Sequence, residues 1–475
     1  MTKDEQNNLP SELNRRDFLQ RGSVATLMTM LGAVELVADN PAAGENTGFS
    51  TAGEKVKCAV IGLGSRGREI THTLMELKQA DLVAGCETYP TFLKRLSSLA
   101  PNAQQVEDYR KILDNKEVKA VIIATPSHKH REIAIAALQA GKHVYCEAPL
   151  ATTVDDARAI ALEAKNHPEV VFQAGLQQRS DPQRKFLLPF IRSGALGKNV
   201  MARAHWHKKQ SWRFTSTNPE REKEINWRLS QKTSPGLIGE IGIHQLDAVR
   251  WFLGAFPVSV TGFGSLIQWN DGRDVPDTIQ AVIEFPGSDS NEPRKDCVRL
   301  IYDATLANSF ESEQEVYFGT SAAVLVREHR AWMVKEVDSD LLGWEVYARK
   351  DSFFPDNETG IALVADASKL SAQGAGTSQP DPYPETPLHY ALESFFRNCN
   401  KVTAAVEDFK SNFDANDKEG LAKILADTRR PGGDAGWQPA AGYKEGFEAT
   451  VMAIKANEAI LKGEKIAFEK DWFSL

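Results

Sequence analysis

The chain is short of cysteine, of excess positive charge and of long apolar runs, and each shortage removes a class of answer. Its 475 residues include five cysteines, Cys58, Cys86, Cys146, Cys297 and Cys399. They show no CxxC and no metal-like spacing, and an odd number cannot pair completely within one chain, which argues against a disulfide framework. Three of them sit in apolar runs (KCAVIG, VAGCE, VYCE) of the kind that become central strands, where Cys behaves as a small hydrophobe. Lys and Arg total 56 against 64 Asp and Glu, a formal charge of -8, so no global basic field exists to attract nucleic acid. Hydrophobic residues at 42% and charged residues at 25% are ordinary globular values and exclude a largely disordered or fibrous chain. The length exceeds what one hydrophobic core usually holds, which points to two folded domains.

The first fifty residues read differently from the rest. Asn14-Arg15-Arg16-Asp17-Phe18-Leu19-Gln20 precedes a modestly apolar stretch from Gly22 to about Ala38 and then a Pro/Ala/Gly/Asn-rich segment. This resembles a twin-arginine export signal. The apolar part is brief and is interrupted by Glu35, so no membrane span is expected. The resemblance implies export of a protein folded in the cytoplasm, with residues 1–50 as signal and linker and a periplasmic or otherwise exported destination. An amphipathic or disordered basic tail is the plainer alternative.

From Lys55 the sequence VKCAVIGLGSRGREITHTLMEL is an apolar run suited to a buried parallel strand, then three glycines, then helical periodicity. In such a G-x-G-x-x-G turn, Gly62 permits the sharp bend, Gly64 lets the backbone touch a pyrophosphate, and Gly67 lets helix and strand pack closely. Ser65 and Arg66 open the helix, whose free N–H groups favour phosphate. A lone match is weak. This one follows a strand, opens a helix and is followed by the strand DLVAGCE ending at Glu87. An acidic side chain there suits ribose hydroxyls and repels a 2′-phosphate, which favours NAD over NADP, although Lys94 and Arg95 lie within reach of such a phosphate. Further strand–helix units (AVIIAT, HVYCE) predict a doubly wound parallel sheet over residues 51–175, with Thr125, Pro126, Ser127, His130 and Glu147 at strand C-termini beside the ligand crevice. His128 and His130 also read as helix-start residues satisfied by backbone.

Residues 234–254, SPGLIGEIGIHQLDAVRWFLG, place Glu240, His244 and Asp247 at i, i+4 and i+7, one face of a helix. Gly242, Leu246, Val249 and Leu253 form a small or apolar stripe on the other side. A His flanked by two carboxylates in an otherwise apolar segment is unlike an ordinary solvated face. Earlier, VMARAHWH (200–207) alternates as a strand with Arg203, His205 and His207 on one side. The two histidines could ligate a metal, but no third ligand stands at useful spacing, so no metal is expected. Lys208, Lys209, Trp212, Arg213, Trp227 and Arg228 follow in loop-like sequence; aromatic faces and guanidinium groups are how proteins hold pyranose rings. Short β-like runs after residue 258 predict an open, mainly antiparallel sheet, so that residues 176–475 make an α+β domain whose last helices return to the first. The Gly/Ser/Pro-rich segment 365–386 is expected to be a surface loop.

Several of these segments in order, ATPSHKHREIAIAALQAGKHVYCEAPLA, GLQQRSDP (Gly175 to Pro182, with Arg179), IRSGALGK and YKEGFEATVMAIKANEAILKGEKI, resemble the Gfo/Idh/MocA (glucose-fructose oxidoreductase/inositol dehydrogenase-like) oxidoreductases. The resemblance implies a nicotinamide cofactor, a sugar or glycoside substrate, and homo-oligomers, dimer or tetramer, assembled through the C-terminal sheet. It implies His244 as general base with Glu240 in place of the family's aspartate, and Arg179, Lys208, Trp212, Arg213, Trp227 and Asp247 around the substrate. One position departs. The family's Glu-Lys-Pro is here Glu147-Ala148-Pro149, so the lysine beside the nicotinamide is missing. NAD-dependent glycosidases of the family, such as the α-N-acetylgalactosaminidases, also lack it. Three readings therefore stand: a sugar oxidoreductase with tightly bound cofactor, a redox-neutral NAD-dependent glycosidase, and a non-catalytic cofactor-binding regulator.

Overall fold

The computed structural model describes residues 55–287, 296–327, 330–340, 350–352, 359–362, 383–414, 416–430 and 436–475. The expected export signal (1–50) and nearly all of the expected surface loop at 365–386 lie outside the described residues.

The first sheet grows from short apolar runs whose residues are buried on both faces. Its strands and helices follow in the order β1 (Val56–Ile61), α1 (Ser65–Glu76), β2 (Ala80–Cys86), α2 (Pro90–Leu99), β3 (Gln104–Val106), α3 (Arg110–Asp114), β4 (Ala120–Ile123), α4 (His130–Gln139), β5 (His143–Cys146), α5 (Val154–Asn166) and β6 (Phe172–Ala174). All pairings are parallel in the spatial order β3-β2-β1-β4-β5-β6, the doubly wound arrangement predicted. Period-two alternation divides each strand between two cores. Ala59, Ile61, Val121, Ile123, Val144 and Cys146 face one, and Cys58, Val60, Ala120, Ile122 and Tyr145 the other. No disulfide joins the five cysteines, and four of them are buried.

The chain then passes through α6 (Pro182–Arg192), β7 (Asn199–His207), α7 (Pro219–Ile225), a π-helical turn (Ile238–Gly242) and α8 (Ile243–Leu253). Strands β8 (Ser259–Ser265), β9 (Thr278–Phe285), β10 (Val298–Thr305), β11 (Glu313–Gly319), β12 (Ala322–Arg327), β13 (Arg330–Lys335), β14 (Lys350–Ser352) and β15 (Thr359–Ala362) follow. Helices α9 (Pro387–Asn412), α10 (Lys418–Thr428) and α11 (Tyr443–Lys462) and a short β16 (Ile466–Ala467) complete the chain. The second sheet has ten strands in the order β14-β15-β13-β12-β11-β7-β10-β9-β8-β16. It is antiparallel throughout except where β7 and β10 pair in parallel. Between those two strands the chain makes a long excursion through α7, α8, β8 and β9, the length a parallel connection requires.

Two terminal helices tie the domains together. Phe395, Phe396, Leu392 and Cys399 of α9 fill the core on one face of the first sheet. Helix α11 serves both domains: Phe447, Ala449, Val451 and Ala453 enter a core of the first sheet, while Met452, Ala456, Ala459 and Ile460 enter that of the second. Its near approach to β6 requires Gly446, where an added Cβ would stand 2.6 Å from the Ala174 Cβ and 3.0 Å from Leu150 Cδ1. Gly446→Val is therefore expected to lower stability by about 1–3 kcal/mol through overpacking. Urea denaturation followed by tryptophan fluorescence reads this, and an unchanged midpoint would show that α11 does not bear on β6 as described.

Candidate active site

The glycine turn is built by close backbone contact. Gly62 has φ +95°, and a Cβ on Gly67 would lie 1.9 Å from the Gly62 carbonyl oxygen, so strand and helix meet with no room for a side chain. Gly64 is open, with nothing within 4 Å of where its Cβ would be. It precedes α1 in extended conformation and no side chain caps the helix, so the first N–H groups stay available for phosphate oxygens. Glu87, at the end of β2, accepts hydrogen bonds from the Leu63 and Tyr89 N–H groups at 3.0 Å each, which fixes its carboxylate beside the turn. These are the donors and acceptors a dinucleotide needs. Thr125 Oγ1, buried after β4 without a partner, is a further polar atom the crevice leaves to be satisfied.

Arg66 carries more of the site than its place in the turn suggests. Its Nε donates to Glu147 Oε1 at 3.0 Å, one terminal nitrogen to Gln177 at 2.8 Å and the other to Glu69 at 2.9 Å. Burial raises the Glu147 carboxyl while Arg66 opposes that shift. Burial likewise works against the Arg66 charge, but Glu147 keeps it above its ordinary value. The same charge reaches His244 on α8. Burial first and Arg66 second lower that imidazole to about 4, with Asp247 acting the other way. His244 is thus a neutral base near pH 7, walled in but partly open to the crevice, with Nδ1 unpartnered.

Glu240 departs from expectation. The i, i+4 spacing put it against His244, yet its carboxylate accepts from Ser127 Oγ at 3.2 Å to either oxygen and from Ser234 Oγ at 3.1 Å, and lies 3.7 Å from Arg228 Nε. It lies in the π-helical turn Ile238–Gly242, which leads into α8. Burial drives the Glu240 carboxyl up to about 7, against the opposing influence of Arg228 and the two serines. It stands poised to hold or release a proton near neutral pH.

Other expected residues are placed unequally. Arg179 and Asp247 grip one another in a bidentate pair at 2.7 and 2.8 Å, with Arg179 also over the Trp251 ring, so each already has its partner. His130 turns inward: its Nδ1 and Nε2 lie 3.0 Å from the carbonyls of Pro149 and Thr125, and it is only 1% exposed, which fixes the loop rather than reaching the crevice. Ser65 is exposed at the first position of α1, and Pro126 precedes the turn that carries Ser127. Trp212 and Trp227 flank Arg228, whose guanidinium lies 5.5 and 4.9 Å from their ring centres. Trp227 also neighbours His128. This makes an aromatic and cationic wall beside Glu240. Arg213 is held by the Asp271 carbonyl and Glu222, and Lys208 is exposed. From α7, Arg221 stacks on Tyr89 at 4.5 Å and lies 3.6 Å from Glu87, so this excursion reaches the opposite end of the crevice. Ser234 and Gln177 escaped the sequence reading, because a lone hydroxyl or amide in a loop announces nothing of the distant carboxylate or guanidinium it will meet.

Residues 56–175 match the oxidoreductase family, NAD-binding Rossmann fold, and residues 189–290 match the GFO/IDH/MocA C-terminal domain. The chain belongs to the Gfo/Idh/MocA oxidoreductase family. It is 33% identical over 150 residues to a levoglucosan dehydrogenase of Pseudarthrobacter phenanthrenivorans, covering 31% of this chain and 36% of that protein. It is 30% identical over 201 residues to an inositol 2-dehydrogenase of Salmonella typhimurium, 42% and 54% of the two lengths. A 2,7-anhydro-N-acetylneuraminate hydratase of Mediterraneibacter gnavus is 27% identical over 208 residues, 43% and 51% of the two lengths. The chain thus spans about a third to a half of these relatives. A solved structure of levoglucosan dehydrogenase in complex with NADH superimposes with TM-score 0.62 at 18% identity, covering 88% of this chain and all of that one, which shows a shared fold. The first domain of this Gfo/Idh/MocA protein is accordingly an NAD-binding Rossmann domain.

The Glu240 carboxyl gives a pH test. Its folded value near 7 exceeds the ordinary 4.5, so its contribution to stability is full below about pH 4.5 and is lost as pH rises through 7. Glu240→Gln removes that dependence. The variant is expected to gain on the parent by about 3 kcal/mol between pH 4.5 and 8. Denaturant titrations of both proteins across that range check it, and a constant difference would show that Glu240 ionises normally.

Proposed function

We propose that the chain is an exported, NAD-dependent oxidoreductase acting on a hydroxyl of a sugar or glycoside. The observation that carries this reading is His244: a neutral imidazole with a free Nδ1, on the second domain, close enough to the Arg66–Glu147 pair of the glycine turn to feel its charge. Hydride can leave a carbinol carbon only if the hydroxyl proton leaves too, so a base must stand where both domains meet. The bound nicotinamide supplies the hydride acceptor. His244 takes the hydroxyl proton, and Asp247, itself held by Arg179, lies on the side that favours the protonated ring. Glu240 holds or passes a second proton among Ser127, Ser234 and the incoming sugar. Trp212, Trp227 and Arg228 give a face and donors to a pyranose ring. Arg66 supplies the positive charge that Ala148 cannot.

Glu87 supports NAD over NADP. The twin-arginine-like leader supports export, and an exported enzyme has no dinucleotide pool outside, which favours a retained cofactor. Arg221, reaching Glu87 across the crevice, is a device suited to retention. Among the described residues no helix is long and apolar enough to cross a membrane. The open face of the ten-stranded sheet is the surface for a homo-oligomer. A second reading, redox-neutral elimination or hydrolysis of a glycoside, draws on Ala148 and on the resemblance to an anhydro-sugar hydratase.

Incubation of the purified protein with a chromogenic glycoside and no added acceptor separates the readings. Reduction that stalls after one turnover and resumes with a keto-sugar is expected. Release of aglycone without net reduction would select the second reading, and neither signal with cofactor bound would leave a binding module. His244→Ala is expected to cost 10²–10⁴-fold in kcat; turnover within a few-fold of the parent would remove the base assignment. Arg66→Met is expected to lower kcat at least tenfold and to shift the acidic limb of the pH profile upward, because His244 loses a neighbouring charge. Arg66→Lys should restore part of both, which a purely structural role would not predict for the profile.

A further inference from the structure

Strand β7 has two sides, and only one belongs to the active site. Ala202 and Ala204 point into the core shared with α8 and α11, whereas His205 and His207 point to the open face of the sheet. There the β10–β11 connection brings Glu311 to them, so that one potential ligand atom from each of the three lies within 4.8 Å of the others. The sequence offered no third ligand because Glu311 lies more than a hundred residues away and arrives only through the pairing of β7 with β10 and β11.

We propose that His205, His207 and Glu311 bind a divalent transition metal of the Zn2+ type on the open face of the ten-stranded sheet. His205 is 4% exposed, yet its Nε2 has no hydrogen-bond partner, an arrangement that costs free energy unless something accepts the lone pair. The Glu311 backbone takes up the other side of that ring, which leaves Nε2 as the ligand nitrogen. The His205 and His207 rings lie face to face with centroids 4.7 Å apart, a separation that lets both address one ion. His207 already has the carboxylate partner that metal-bound histidines use, Asp303 Oδ2 at 2.6 Å from Nε2, while the Phe310 carbonyl stands 2.8 Å from Nδ1. The bond to the carboxylate is the stronger, so Nε2–H stays on Asp303 and Nδ1 exchanges the carbonyl for the ion. Two imidazole nitrogens and one carboxylate oxygen make a three-ligand set with a fourth position for water or another donor, the set that suits Zn2+ rather than Ca2+ or Mg2+. Glu311 and Ser312 hold φ of +66° and +55°, a left-handed pair without glycine that aims the loop back over β7.

The test uses the full protein, stripped with a chelator and titrated with Zn2+ alone by calorimetry, with metal content measured after dialysis. The expected result is one equivalent per chain, with affinity at least tenfold weaker in His205→Gln and in Glu311→Gln and 10–100-fold weaker in Asp303→Asn. Dinucleotide binding, on the other side of the sheet, should stay unchanged in all three and reports that they are folded. Glu311→Gln, in an exposed connection, keeps the test open should the buried His205 variant fail to fold. No Zn2+ uptake by the parent, or uptake that survives His205→Gln and Glu311→Gln, overturns the proposal.

Discussion

A single partly buried guanidinium, that of Arg66, holds the functional part of this molecule in register. It joins the glycine turn after β1 to the ends of β5 and β6 through Glu147 and Gln177, across the intervening strand β4. Glu147 is the more buried partner, so removing the arginine would leave a carboxylate in the crevice without its cation. The pairing therefore fixes the crevice floor as firmly as backbone contact fixes the turn above it. It also sets the electrostatics of the second domain's contribution, since the same positive charge helps hold the His244 imidazole unprotonated. One side chain thus ties the geometry of the cofactor turn to the basicity of the group that faces it.

The second domain answers with a buried carboxyl. Glu240 sits in a widened helical turn and is bridged to Ser127 of the first domain, so the two halves of the crevice share a hydrogen bond there. Helix α11, with one stripe in each domain's core, restrains the same junction from behind. Interfaces between domains default to relative motion unless they are extensive and apolar. Here an apolar helix shared between two cores meets that condition, and the polar contact can remain small and tuned near neutrality.

What the sequence revealed and what it hid follow a physical division. Strand–turn–helix segments, the glycines with Glu87, and the helix bearing His244 were legible because each depends on residues within one short window. Period-two alternation in β7 likewise put His205 and His207 on one side. The partners of charged groups were not legible. Asp247 finds Arg179 across 68 residues and Glu240 finds Ser127 across 113, distances over which no periodicity operates. The π-helical turn hid in a sequence with ordinary helical spacing, and Glu240 within it bonds Ser127 and Ser234. His130 illustrates the converse: position at a strand end suggested the crevice, while two backbone carbonyls claimed its ring.

The missing lysine at position 148 becomes intelligible in this setting. Backbone packs closely around Glu147: a Cβ on Gly175 would stand 2.7 Å from Glu147 Oε2 and 3.0 Å from the Ala148 nitrogen. Glu147 accepts from Arg66 in that confined volume, and a lysine next to it would compete for one carboxylate with a cation that is better suited to bidentate, planar bonding. Arg66 already bonds both Glu147 and Glu69, and a second cation beside it would add positive charge to a partly buried crevice, which is costly. A small residue at 148 and an arginine at 66 are therefore a matched choice. Arg66, in the first turn of α1, provides a positive charge beside that glutamate.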